Sequence, residues 1–345
     1  MDLADAQELW DPEPGWLNTA SYGLPPRPGW EALQAALADW RRGRVSWKGW
    51  NDATDRSRAA FARLVGVDAI DVSVGATVSQ LFAPLAAALP DGARVLAPEI
   101  EFTSSLFPWL AQAGRGVSTR TVAVDKLVDA VDAETDLVAF SLVQSADGTI
   151  AAYEQVVAAA RAYGALVAVD ATQACGWLPF DASLADMVAV SAYKWLMSPR
   201  GSAFAYLSPV VRELMTPHAA NWFAGADVHS PYYGPPLRLA TDARAFDISP
   251  AWFSYVGTAP TLELVERIGV AAIHDHDVAL ANRFLTGLGY PPGQCAIVSV
   301  DVPGAEEKLE RAGVRAAVRA GRIRASFHVY STDADVDLAL NALAA

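Results

Sequence analysis

Two apolar runs, Leu166–Val169 and Met187–Val190, constrain this chain more than any other feature. Both lack polar alternation and are rich in valine, the mark of central strands in a parallel sheet covered on both faces. The first runs into Asp170. The second runs into Ser191-Ala192-Tyr193-Lys194-Trp195, which sets a lysine just beyond a buried strand. Ligands of such sheets bind beyond the carboxyl ends of the strands. Asp170 and Lys194 are therefore placed to meet one ligand from two sides. The lysine reads as an imine-forming amine and the aspartate as the partner of a pyridinium nitrogen.

The preceding chain supports the sheet. Strand-like segments Ala93–Ala97, Ser118–Val124 and Leu137–Val143 alternate with helical segments Ser104–Ala113, Asp125–Val131 and Tyr153–Tyr163. That order predicts an α/β fold whose large domain holds a mostly parallel sheet sandwiched by helices. Upstream, strand Ile70–Val74 runs through Gly75-Ala76-Thr77-Val78-Ser79-Gln80 into an apolar helix, Leu81–Leu89. A helix N-terminus after a small-residue turn offers free N–H groups and a favourable dipole to a phosphate. The same residues would also serve as an ordinary helix cap. No GxGxxG or GxxxxGK[ST] run occurs, so dinucleotide and P-loop readings lose their main support. At the same sheet edge Phe102 could stack on a flat ligand, or simply belong to the core.

The flanks differ in character. Residues 1–28 are rich in Pro and Gly and read as an arm outside the core, with a polar turn, Leu17–Gly23, that could bring Tyr22 to a substrate. The large domain would span residues 29–258, and its loops over 217–258 suit function or an interface. From Ala259 the pattern becomes a long helix broken near Ile268-Gly269. Strand Ala296–Val302, helix Glu306–Ala312, strand Arg322–Phe327 and helix Asp333–Leu343 follow, a smaller α+β C-terminal domain over 259–345. Strand alternation puts Arg322, Arg324 and Ser326 on one face. A guanidinium there could hold a carboxylate through two parallel hydrogen bonds; a solvated edge strand is the alternative.

Composition excludes other classes. The net charge of −13, from 39 acidic and 26 basic residues, argues against nucleic acid as a partner. Cys175 and Cys295 form no disulfide framework and no metal-ligand spacing. No apolar h-region opens the chain, and the longest apolar runs fall short of the roughly 20 residues a membrane span needs. The expectation is a soluble cytoplasmic protein with no membrane partner.

Val167-Ala168-Val169-Asp170-Ala171-Thr172-Gln173 and Ser191-Ala192-Tyr193-Lys194-Trp195-Leu196 resemble the hallmark segments of class V aminotransferase-type enzymes, of pyridoxal-phosphate fold type I. That group includes cysteine desulfurases, isopenicillin N epimerase-like proteins and kynureninases. The resemblance runs from Leu17-Asn18-Thr19 to the segment Arg324–Thr332. It implies pyridoxal 5'-phosphate bound to Lys194, with Asp170 at the ring nitrogen and Ala76, Thr77 and Ser191 near the phosphate. Phe102 would take the ring-stacking position, where desulfurases carry His, and Gln144 and Gln173 would lie near the ring hydroxyl. Arg324 matches the arginine that binds a substrate carboxylate. A homodimer with sites at its interface is implied, in which Ser249 would complete a neighbour's phosphate site.

The activity implied first is aminotransfer on a small α-amino acid. β-Elimination by a C–S lyase, kynureninase-like hydrolysis and epimerisation use the same residues. A non-catalytic binding protein on this scaffold is the reading outside enzymes. Desulfurases also carry a mobile-loop cysteine before the carboxylate arginine, whereas Gly313–Arg324 reads GVRAAVRAGRIR. Neither Cys175 nor Cys295 fits that place, so this reading sets persulfide chemistry aside. The C-terminal domain looks short for the group. The 11 tryptophans could line an apolar pocket or belong to core and interfaces.

Overall fold

The structure, a computed structural model, describes residues 1–228, 232–319 and 321–344. The start of the loop expected over Ser230–Pro236 lies outside them. The chain begins with α1 (Leu3–Gln7), α2 (Arg27–Arg41) and α3 (Trp47–Val65). Strand and helix then alternate through β1 (Val72–Gly75), α4 (Val78–Ala88), β2 (Arg94–Pro98), α5 (Thr103–Leu110), β3 (Ser118–Val122), α6 (Leu127–Ala130), β4 (Leu137–Ser141), α7 (Tyr153–Tyr163) and β5 (Leu166–Asp170). Next come β6 (Met187–Ser191), β7 (Ala203–Leu207) and α8 (Pro209–Leu214). After a long loop region the chain forms α9 (Trp252–Ile268), α10 (Val270–Gly287), β8 (Ile297–Val300), α11 (Ala305–Arg311), β9 (Ala317–Arg319), β10 (Arg322–Ser326) and α12 (Asp333–Ala344).

Seven strands form one sheet in the order β1-β7-β6-β5-β4-β2-β3. β7 runs antiparallel to both neighbours and the other pairs are parallel. The central strands show why no polar alternation is visible. Both faces are covered, so the residues alternate in volume instead. Val138, Phe140, Val167, Val169, Val188, Val190 and Phe204 face one core. Ala139, Ala168, Ala189 and Ala205 face the other, where α4 and α5 bring Phe82, Leu85 and Trp109. Small residues on that face let the two helices approach closely, so large helix side chains fill the layer.

Three antiparallel strands, in the order β8-β10-β9, make a second sheet. Its core is formed by Phe284 of α10, Ile323 and Ala325 of β10, and Val336 and Ala339 of α12. The helix break expected near Ile268-Gly269 is the α9–α10 junction, where Gly269 takes φ +93. Position 259 lies within α9, which packs on α2 and α3.

The N-terminal arm is more structured than its Pro and Gly content predicts. Trp10, Leu17 and Ala20 are buried, and Asn18 bridges to Ser326 at the end of β10. Leu17 N–H donates to the Arg315 carbonyl and Ser326 N–H to the Leu17 carbonyl, each at 2.9 Å. Turn-forming residues interrupt regular structure, but they leave the backbone free to pair with a neighbouring edge. Among the described residues no helix is long and apolar enough to cross a membrane.

Candidate active site

Gly75, Pro98, Ser141, Asp170 and Ser191 end β1, β2, β4, β5 and β6 on one edge of the sheet. A cleft opens there, with Lys194 and Asp170 among its lining residues. Lys194 is only 5% exposed. Its Nζ stands 5.3 Å from the Phe102 ring centroid and 5.7 Å from that of Tyr193. Burial pulls its pKa down to about 8; Asp170 opposes that fall, and Arg324, Arg319 and Arg200 add to it.

The backbone around Lys194 is held from three sides. Gly23 N–H donates to the Tyr193 carbonyl at 3.0 Å. A Cβ on Gly23 would come within 1.9 Å of the Lys194 carbonyl oxygen, so the arm passes where only glycine fits. Trp195 Nε1 donates to Gln173 Oε1 at 2.8 Å, and His328 Nε2 lies 2.9 Å from the Trp195 carbonyl oxygen. Met197, with φ 48, closes the turn in the left-handed region.

Asp170 accepts a hydrogen bond from Thr172 N–H at 2.8 Å. Burial raises its pKa, while hydrogen bonds from Thr172 and the charge of Lys194 oppose the rise. Behind it lies a second buried carboxyl, Glu101, whose pKa burial also raises. Glu101 accepts from Phe102 N–H at 2.8 Å, Ser141 N–H at 2.6 Å and Gln144 Nε2 at 3.2 Å, and from the Ser141 hydroxyl. Gln144 is thus turned under the sheet edge, away from the place expected for it. The residue that lines the cleft is its neighbour Ser145. Gln173 does line it, donating to Ser145 Oγ and to the Ala20 carbonyl, each at 3.0 Å.

At the start of α4, Thr77 is the N-cap, accepting from Gln80 N–H at 3.3 Å. Ala76 N–H is occupied by Gln80 Oε1 at 3.0 Å, which removes Ala76 as an anion donor. Thr77, Val78, Ser79 and Ser191 face the cleft in its place. The first-turn N–H groups there have no partner within the helix. Tyr193 and Arg200 also line the cleft, with Arg200 4.5 Å above the Tyr193 ring and donating to the Tyr22 hydroxyl at 3.1 Å. Tyr22 therefore stands at the rim. Arg200 follows Lys194 closely in the chain, in a Ser-Pro-Arg-Gly turn that reads as punctuation. Ser249 is exposed, in the loop before α9, and lines no part of this chain's cleft.

Arg324 is 1% exposed. Its Nη1 donates to the Ser145 carbonyl at 2.5 Å and to Ser145 Oγ at 3.2 Å; Nη2 donates to Ser21 Oγ at 2.9 Å. Nε has no partner. Burial pulls its pKa down to about 10, with Arg319 adding to the effect. A buried guanidinium facing only neutral oxygens is incomplete without an anion.

The architecture is that of the type I fold of pyridoxal-phosphate enzymes. The Aminotransferase class-V family profile matches residues 44–301, and the chain belongs to that family. It is 26% identical over 326 residues to the uncharacterized aminotransferase YcbU of Bacillus subtilis, covering 87% of this chain and 86% of that one. It is 26% identical over 296 residues to a protein of Methanothermobacter thermautotrophicus named a probable cysteine desulfurase, covering 72% and 71%. The structure of a C-DES mutant with glycine covalently linked to its cofactor superposes with a TM-score of 0.88 at 21% identity, covering 100% of this chain and 99% of that one.

These relatives correct one expectation. Proteins named cysteine desulfurase recur among them, and C-DES is itself described as a cystine C–S lyase. The sequence reading that set cysteine desulfurase aside therefore does not stand. A loop cysteine bears on where released sulfur goes. Cleavage of the Cβ–S bond by β-elimination depends on a base and an electron sink, and a loop thiol takes no part in that route.

Pyridoxal phosphate is the cofactor of this family, and the cleft fits it. Lys194 offers a buried amine of lowered proton affinity, Asp170 a carboxylate across the floor, and Phe102 a ring face beside the amine. The first turn of α4, with Thr77, Ser79 and Ser191, supplies donors for a phosphate.

Proposed function

We propose that this protein transforms small α-amino acids as a homodimer in the cytoplasm, with Lys194 as the cofactor-bearing base and transfer of the amino group as its reaction. The observation that carries the reading is Arg324, a buried guanidinium with an open Nε and no acidic partner among the described residues. An α-carboxylate would complete it and fix the α-carbon near Lys194. With a pKa of about 8, roughly a tenth of the amine is neutral at pH 7. Lys194 would take the α-proton and redeliver it within the same cleft. When bound, pyridoxal phosphate supplies an electron sink that acidifies the α-carbon. Asp170 holds an acceptor for the ring nitrogen, and Phe102 covers the amine from solvent.

Support for the dimer comes from exposed Trp40, Tyr232 and Tyr233, which ring contacts through Phe253, Trp50, Trp252 and Trp222 join into one aromatic surface that a second copy would cover. Ser249 would then add a phosphate contact across the interface. Both cysteines are free, as a reducing compartment allows.

The recurrence of relatives named cysteine desulfurase favours a second reading, cleavage of a C–S bond next to the α-carbon. It begins with the same proton removal by Lys194.

The holoprotein should absorb near ~420 nm, as lysine-bound pyridoxal phosphate does, and Lys194→Ala should lose the band. A cofactor-saturated protein without that band would sink the proposal. Incubation with amino acids and a keto-acid acceptor separates the two reactions. A new amino acid marks transfer, and sulfur released from cysteine marks cleavage.

A further inference from the structure

Three arginines act on Lys194, namely Arg200, Arg319 and Arg324. Among the described residues none of them has a carboxylate partner: Arg200 bonds a tyrosine hydroxyl, Arg324 bonds serine oxygens, and Arg319 bonds the Val318 carbonyl at 2.8 Å. Arg200 lines the cleft and Arg324 bonds its lining residue Ser145; in a chain of net charge −13, cations left without a carboxylate near one cleft mark a site for anions.

Arg319 is the one the reaction does not yet use. β9 pairs antiparallel with β10, placing Arg319 opposite Arg322 and Ala317 opposite Arg324. Opposed residues project to the same face, so Arg319 shares the face of Arg324 as its diagonal neighbour, a spacing long side chains span. Arg322 shares that face too, but its Nε and Nη2 are engaged by Ser299 Oγ and the Ser299 carbonyl, each at 3.1 Å. Arg319 is exposed, and its charge is felt by both Lys194 and Arg324.

Counting anions leaves one place open. The α4 N-terminus and Arg200 suit the cofactor phosphate, and Arg324 suits the α-carboxylate. We infer that the substrate carries a second acidic group on its side chain, a carboxylate or a sulfinate, which Arg319 receives. This rests on the reading of Arg324 as the α-carboxylate site.

The test is spectral titration of the holoprotein with acid and amide pairs, L-aspartate against L-asparagine and L-glutamate against L-glutamine, with L-cysteine sulfinate as a third acid. The wild type should bind at least one acid tenfold or more tighter than its neutral counterpart. Arg319→Gln should abolish most of that preference while leaving the amide's affinity within twofold, which also reports an intact fold. Arg322→Gln should keep the preference. Acid and amide bound alike by the wild type would overturn the inference. So would Arg319→Gln weakening both equally, which would assign Arg319 to the α-carboxylate. If no amino acid perturbs the wild-type spectrum, the proposed function itself fails and this inference falls with it.

Discussion

The imidazole of His328 lies 2.9 Å, through Nε2, from the carbonyl oxygen of Trp195, the residue that follows Lys194. A carbonyl oxygen only accepts, so Nε2 carries a proton. Nδ1 stands 2.9 Å from Asp277 Oδ2, and both side chains are fully buried. Asp277 comes from α10 and His328 from the segment after β10, so the C-terminal sheet and its helix grip the lysine turn. Burial raises the pKa of Asp277 and His328 opposes the rise. Asp277 Oδ1 has no partner, so His328 is the principal satisfier of this carboxyl.

His328→Ala should therefore cost about 3–5 kcal/mol, because it leaves a buried carboxyl uncompensated and frees the Trp195 carbonyl. Urea unfolding of the holoprotein measures it. His328→Gln keeps an N–H for the carbonyl and should retain more of the visible absorption band than His328→Ala. Equal bands in the two variants would mean that the contact does not hold the lysine in place.

A second buried pair supports the far edge of the sheet. Arg58 Nη2 meets Asp247 Oδ2 at 2.7 Å, and Nη1 meets Oδ1 at 3.2 Å while donating to the Val72 carbonyl at 2.6 Å. Asp247 also accepts from Val74 N–H at 2.8 Å and Ser73 Oγ at 3.2 Å. The pair ties α3 and β1 to the loop that carries Ser249. Asp247→Ala strands the guanidinium and two strand donors, and should destabilise by about 3–5 kcal/mol. Double replacement of Arg58 and Asp247 by apolar residues should recover part of that loss. A single variant that unfolds like the wild type would remove the pair from the fold's supports.

What could be read in advance follows physical lines. The order of strands and helices was legible because parallel strands covered on both faces are written as unbroken apolar runs. That Lys194 and Asp170 would meet in one cleft was legible because Asp170 directly follows one such run and Lys194 comes four residues after the other. Past the end of a strand the chain turns and the alternation that fixes side-chain direction ends, and Gln144 lies three residues beyond β4. That is why Ser145 rather than Gln144 faces the cleft after β4. Similarly, Gln80 reaches back to Ala76 N–H, a capping contact that spacing alone does not reveal. Trp10 and Leu17 are buried in an arm whose prolines and glycines describe backbone regularity but carry no information on burial. Arg200 and Arg319 sit in a turn and a three-residue strand, where no period marks a direction.

Arg324→Ala should weaken binding of α-amino acids selectively. Losing one partner of a buried charge pair costs about 2–5 kcal/mol, which is roughly thirtyfold or more in affinity. Simple amines without a carboxylate should bind the variant as they bind the wild type. Spectral titration with L-alanine and ethylamine separates the two cases. Unchanged affinity for alanine would assign its carboxylate elsewhere.

Lys194 makes the apoprotein less stable than it could be, and the sign of the effect with pH is fixed. Its pKa falls from 10.5 to about 8 on folding because burial disfavours the charged amine. Between those values the unfolded chain binds more protons than the folded one, so stability rises with pH across that window. Below about pH 8 the apoprotein bears the full cost, on the order of 3 kcal/mol. Lys194→Met, similar in length and uncharged, should stabilise apoprotein by about that amount at pH 7. Asp170 then loses its cationic neighbour, which trims the gain. At pH 10 the difference should shrink below about 1 kcal/mol, since most of the wild-type burial cost has gone. Urea midpoints of both apoproteins at pH 7 and pH 10 give the comparison. A variant less stable than wild type at pH 7, or a gain that grows with pH, would contradict the burial of a reactive amine at this position.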